Sequence, residues 1–127
     1  EAVLTSGTAE TTVAQAKVTR EQVRAKNKES LQEIIDNKQL TGEQKKKAVN
    51  EMVELTKIAE KEAAAETMLS AKGFTDSVVS LSEESADVVV NAKELSEANR
   101  AQIEDIVIRK TGMAAENIVI TPAGSKK

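Results

Sequence analysis

After Gly73 the spacing of the apolar residues changes period, and that change restricts the chain to very few architectures. Upstream, large apolar side chains recur every third or fourth position, as on one face of a helix. Downstream they alternate, as on a strand with one face buried. Val79 and Leu81 oppose Val78 and Ser80; Val88, Val90 and Ala92 oppose Val89; Ile118 and Ile120 oppose Val119. Strands are therefore expected over 74–82, 86–92 and 117–121. Ser82-Glu83-Glu84-Ser85 suits a short hairpin connection between the first two, although it lacks an Asn-Gly or Asp-Gly signature.

The helical part has its own punctuation. Thr19 and Gln22 stand at capping-box spacing, which predicts a first helix whose apolar side carries Val23, Leu31, Ile34 and Ile35. Thr41 and Gln44 repeat the box and open a long helix to about Ala71, with one stripe along Val49, Met52, Val53, Thr56, Ala59 and Ala63. Leu55, Ile58, Ala65 and Leu69 widen it. Gly73 is the natural stop. Ser96 caps a third helix whose buried face is Ala98, Ile103, Ile106 and Val107, closed by Gly112, and Pro122 ends the last strand. Residues 1–17, poor in large apolar side chains, read as a flexible tail or linker. Residues 18–122 form one domain, and 123–127 a disordered or engineered end. The expected fold is α+β: long N-terminal helices leading into a helix-strand-strand-helix-strand unit, its second and third strands parallel through the crossover helix.

Composition removes most chemistry. The 127 residues include no His and no Cys, so zinc sites of the usual type and Ser-His-Asp or Cys-His catalysis are out of reach. Glu60/Glu62 and Glu83-Glu84 read as exposed helix and turn charges, since a glycosidase would also want aromatic walls, and the only aromatic side chain is Phe74. The net charge of −3 offers no basic field for nucleic acid, and Lys45-Lys46-Lys47, flanked by Glu43 and Glu51, reads as a solvated helix face. A KH-type RNA clamp would need a G-x-x-G loop that the scattered glycines cannot form. No run of about 18 apolar residues is present. No enzyme, metal or cofactor is expected.

What remains is surface. A three-stranded sheet has two faces and two edges, and its third strand lies at an edge in either strand order. Val78, Val89 and Val119 would project from the face opposite the core, with Asn117 and Thr121 flanking the last strand; these five are the candidate partner contacts. Without aromatic anchors, an interface must rest on aliphatic contacts, the four arginines and main-chain pairing.

The run Val88-Val89-Val90-Asn91-Ala92-Lys93-Glu94-Leu95-Ser96, continued by Arg109-Lys110-Thr111-Gly112 and Glu116-Asn117-Ile118-Val119-Ile120-Thr121-Pro122, resembles the extracytoplasmic region of the stage III sporulation protein AH family of endospore-forming bacilli. The resemblance extends back through the long helix. It implies a ring-building-motif fold, similar to type III secretion and flagellar basal-body ring proteins. It also implies an N-terminal membrane anchor upstream of the present sequence, and a soluble domain in the space between mother cell and forespore. There it would bind stage II sporulation protein Q in a channel-like complex. A homo-oligomeric ring and other stage III sporulation A-operon proteins are left open as further partners. Alternatives from the residues alone are a helical adaptor or chaperone subunit, whose 75–122 segment only caps a helical hairpin, and a KH-like nucleic-acid binder. Alternation makes one direct prediction: Val90→Asp unfolds the domain, whereas Val89→Asp leaves it folded and weakens partner binding. Thermal melts that treat the two alike would overturn the register.

Overall fold

A computed structural model describes residues 2–123, with side chains from Thr12 onward. Helix α1 (Ala2–Asp36) and helix α2 (Gly42–Ala71) form an antiparallel hairpin. Strands β1 (Val78–Leu81) and β2 (Ala86–Val90), helix α3 (Glu97–Thr111), a 3₁₀ turn (Ala115–Asn117) and strand β3 (Ile118–Pro122) follow. The sheet order is β1-β2-β3, with β2 antiparallel to β1 and parallel to β3. This is the α+β order expected from the change of period, and β3 takes its place beside β2.

Local chemistry sets most of the boundaries. Thr41 Oγ1 accepts from the Gln44 N–H while the Gln44 side chain accepts from the Thr41 N–H, completing the capping box of α2. At the other end of α2 the Gly73 N–H donates to Ser70 C=O and the Phe74 N–H to Leu69 C=O, the paired bonds of a Schellman motif. That geometry places Gly73 at φ +100°, where a Cβ is strained. Ser96 caps α3 through Asn99 N–H, and Gly112 closes it at φ +79°.

The main core lies between one face of the sheet and the helices α2 and α3. Ala65 and Leu69 of α2 and Ile103, Ile106 and Val107 of α3 pack on Val79, Ala86, Val88 and Val90, with Leu81, Ile118, Ile120 and Phe74 around them. The register pairs Val79 with Val88 and Val88 with Ile120, so these three share the core face. Val78, Val89 and Thr121 share the other.

Several expectations change. The helix begins at Ala2 rather than Thr19, so the segment read as a flexible tail is helical from its second residue, and the Thr19/Gln22 pair lies inside α1. The reason is tertiary. Val13 is buried against Val78 and Ala123 on the outer face of the sheet, with Ala16 and Val89 beside them, and small side chains suffice there. The expectation for 124–127 falls outside the described residues, while Ala123 itself is buried. On α2 the stripe through Val49 and Val53 faces solvent, and Ala65 and Leu69 face the core. On α3 Ala98 is exposed. Val90 sits in the core, but Val89 is half-buried under α1, which narrows the contrast expected between their aspartate variants.

With no atom within 4 Å of a Cβ built on Gly73, conformational strain alone sets the cost of a side chain there. Gly73→Ala is expected to destabilise by about 1–2 kcal/mol. Gly42→Ala, in the first turn of α2 with equally open space, stabilises slightly. Urea unfolding of both variants checks the contrast.

Candidate docking surfaces

The two edges of this sheet have opposite chemistry. On β1 the amides of Val79 and Leu81 point away from β2, where an unpaired edge would offer them to any passing strand. Here carboxylates from α2 take them: Val79 N–H donates to Glu66 Oε2 at 2.9 Å and Leu81 N–H to Glu62 Oε2 at 2.8 Å. The four-residue spacing of Glu62 and Glu66 stacks them on one side of the helix, matching the two-residue repeat of the strand amides.

Two carboxylates so placed need countercharge, and α1 supplies it at the same spacing. Arg24 grips Glu62 with two bonds, Nη1 to Oε1 at 2.7 Å and Nη2 to Oε2 at 2.9 Å. Arg20 Nη1 reaches Glu66 Oε2 at 2.7 Å, lies 3.5 Å from Glu62 Oε1, and donates to the Val79 carbonyl at 2.8 Å. Glu62 is 1% exposed, so its charge is tolerated only because each oxygen is paired. The hydrogen bond to Glu62 raises the Arg24 pKa against the effect of burial. Burial pulls Arg20 down, but the bond and charge of Glu66 outweigh it and the net direction is up. An arginine raised in the folded state contributes stability that persists at every pH below its unfolded value. The cationic half of this network therefore stays charged through the physiological range.

β3 is different. The Ala123 N–H donates to Val90 C=O, and Val90 pairs with Pro122. By the parity of a parallel ladder, Val119 and Thr121 turn their backbone groups toward β2, and Ile118 and Ile120 turn theirs outward. The Ile118 amide closes the preceding 3₁₀ turn onto Ala115 C=O, and the Ile120 carbonyl meets the exposed Arg100 guanidinium at 3.3 Å. Beside this edge α3 leaves a groove of about 320 Å³, lined by Glu97, Arg100, Ala101, Glu104, Ile118 and Ile120. A larger groove, about 960 Å³, lies between α1, α2 and the β1–β2 turn, floored by Val23, Leu55 and Ile58.

The five candidate residues divide accordingly. Val119, at 54% exposure, stands out with the exposed Asn117 and Thr121 along β3. Val89 is half-buried. Val78 does lie on the outer face, but it is 1% exposed beneath α1 and so is not available to a partner in this arrangement. Sequence reasoning passed over the Arg20/Arg24 and Glu62/Glu66 network, taking Glu62 for an exposed helix charge. The available signal was the pairing of two like-charged i,i+4 sets of opposite sign on antiparallel helices, each unfavourable without the other. Among the described residues no group of His, Cys, Asp or Glu could hold a metal, and no helix is long and apolar enough to cross a membrane.

An α+β domain of long N-terminal helices and a three-stranded mixed sheet, with the β1 edge covered by side chains from α1 and α2, is the class these features define. The chain belongs to the SpoIIIAH-like protein family, whose sequence profile matches residues 1–120; this is a family of structural components of a sporulation complex. Among solved structures the chain is similar to one in the structure of the SpoIIQ-SpoIIIAH pore forming complex. Sequence identity is 22% and the TM-score 0.75, over 86% of this chain and 94% of that one. No curated protein matches.

Removing one arginine leaves a buried carboxylate with too little countercharge. Arg24→Ala is expected to destabilise by about 2–3 kcal/mol. Glu62→Gln, which keeps an acceptor for the Leu81 amide, costs less. Chemical denaturation ranks the two, and equal losses would show that the lost ion pair itself, rather than the unpaired carboxylate left by Arg24→Ala, sets the cost.

Proposed function

We propose that this chain is a non-enzymatic bridging domain of endospore formation that binds SpoIIQ through the open β3 edge and the groove α3 makes beside it. The observation that carries this reading is the asymmetry of the sheet: β1 is sealed by side chains from two helices, while on β3 the Ile118 amide and Ile120 carbonyl are engaged by Ala115 and Arg100 but the outward Ile118 carbonyl and Ile120 amide are left for pairing. Strand addition draws affinity from main-chain hydrogen bonds and specificity from alternate side-chain positions. That suits a chain without aromatic anchors, in which Val119, Thr121, Asn117 and Arg100 border the edge. The family supports the setting: a soluble domain in the intermembrane space, tethered to the mother-cell membrane by a segment upstream of residue 1. Many such contacts in one ring or channel would raise modest pairwise affinity by multivalency.

Val119 and Thr121 are exposed, so charging them leaves the core untouched. Val119→Lys/Thr121→Lys is expected to weaken binding to the soluble domain of SpoIIQ by about tenfold, because lysines on an edge strand oppose strand addition. The melting temperature should be unchanged. Isothermal titration calorimetry on the folded double variant decides: wild-type affinity would place the contact elsewhere.

A further inference from the structure

We propose that the groove between α1, α2 and the β1–β2 turn is a second docking site, and that it takes an amphipathic helix with basic flanks from a partner other than SpoIIQ. The groove exists because charge rather than apolar packing joins the two helices beside the sheet. Arg20 and Arg24 reach from α1 to Glu66 and Glu62 on α2, and the apolar side chains flanking that ladder face the gap. Leu55 and Ile58 of α2 are half-buried yet join neither buried cluster, and Val23 of α1 is 54% exposed. All three line the groove of about 960 Å³. Two smaller hollows, of about 340 and 350 Å³, share Ile58 and Glu83 with it, so one trough continues past the turn. Along α1 the trough runs from Thr12 to Leu31. At 1.5 Å per residue that is roughly 28 Å, or about five turns of a docked helix.

Floor and rim decide the occupant's chemistry. The Val79 and Leu81 amides beside the floor are already taken by Glu66 and Glu62, so an incoming strand finds no edge to pair with. Two helical walls over an aliphatic floor instead suit a third helix with apolar residues at i, i+3, i+4 and i+7. The rim is acidic, with Glu51, Glu54 and Glu83 along it. Glu51 and Glu83 have no ion pair among the described residues, and Glu54 has only an exposed contact with Lys57 at 3.7 Å. The arginines of the wall are already bound to Glu62 and Glu66, and Lys61 lines only the hollow toward Gly112. A helix with lysines or arginines beside its apolar stripe therefore matches the rim, and an acidic one is repelled. The sheet order β1-β2-β3 puts this trough and the β3 groove on opposite sides, with no lining residue in common, so both can be filled at once.

The inference stands independently of the partner-binding reading. Fluorescence anisotropy tests it with two labelled synthetic peptides of about 18 residues, one with a leucine stripe and lysine flanks, the other with glutamates replacing the lysines. The full chain should bind the lysine peptide at least about tenfold more tightly, and Glu54→Lys/Glu83→Lys should reverse the preference. Val23→Ser/Ile58→Ser should weaken lysine-peptide binding about tenfold, whereas Val49→Ser/Val53→Ser, on the solvent face of α2, should leave it unchanged. If circular dichroism shows the Ile58 variant unfolded, Val23→Ser alone carries the same direction of effect. No binding, equal affinity for the two peptides, a preference that survives the rim reversal, or indifference to the floor variants overturns the inference. So does displacement of the bound peptide by the soluble domain of SpoIIQ, because the groove is then SpoIIQ's own site. A ternary complex of chain, lysine peptide and SpoIIQ domain upholds it. If that complex forms and Val119→Lys/Thr121→Lys leaves SpoIIQ affinity intact, the partner-binding reading alone fails.

Discussion

Two arginines on α1 facing two glutamates on α2 fix how the helical hairpin sits on the β1 edge of the sheet. Neither pair could stand alone: like charges one turn apart repel, and a carboxylate as buried as Glu62 is not tolerated without a partner. Together they form a ladder matched rung for rung to the two outward amides of β1. Because each rung is one helical turn, a slip of one residue in α1 would swing the guanidinium groups about 100° away from the carboxylates. The network thus sets the register of the helical hairpin against the sheet. Its net contribution to stability is modest, since desolvation of four charges offsets much of their attraction. Its larger effect is on specificity, because β1 is closed to strand addition while α1 is in place.

That closure separates two roles which a three-stranded sheet otherwise confuses. A small sheet covered by helices on one face still offers two edges, and two open edges invite uncontrolled pairing. With β1 occupied by side chains, β3 is the edge left with outward backbone groups, and α3 contributes a polar and aliphatic groove beside it rather than a lid. The outer face is treated similarly. Val78, which alternation alone would leave in water, lies under Val13, whereas Val119 at the open side remains exposed. Sealing is concentrated at the side α1 crosses.

Most of the fold could be read from local chemistry, because the relevant interactions join residues a few positions apart. The change of period at Gly73, the reciprocal Thr41–Gln44 box, the Ser96 cap and the two left-handed glycines all act within one turn of themselves, and all appear as expected. The misreadings share one cause. The first seventeen residues look like a tail because their apolar side chains are mostly alanine and valine, and their helix earns its contacts from strands far downstream. Thr19 and Gln22 imitate a cap within a helix already under way. On α2, two apolar stripes compete, and only the position of α3 and the sheet decides that Ala65 and Leu69 face inward while Val49 and Val53 do not. The candidate site divides along the same line. Asn117, Val119 and Thr121 are exposed as strand alternation dictates, but Val78 and Glu62 depend on α1 and could not be placed without it.

The absence of aromatic side chains beyond Phe74 gives this division its consequence. Where interfaces rest on tryptophan and tyrosine anchors, a few buried rings dominate affinity and the backbone is secondary. In the proposed mode of binding the backbone carries more of the recognition, so which amides are exposed matters more than which side chains are. An interaction built on main-chain pairing is weakly selective unless competing edges are removed, and side chains from α1 and α2 remove the competing edge. In the proposed mode of binding the charged network and the β3 strand are thus two halves of one device: discrimination comes from closing β1 as much as from the backbone groups left on β3.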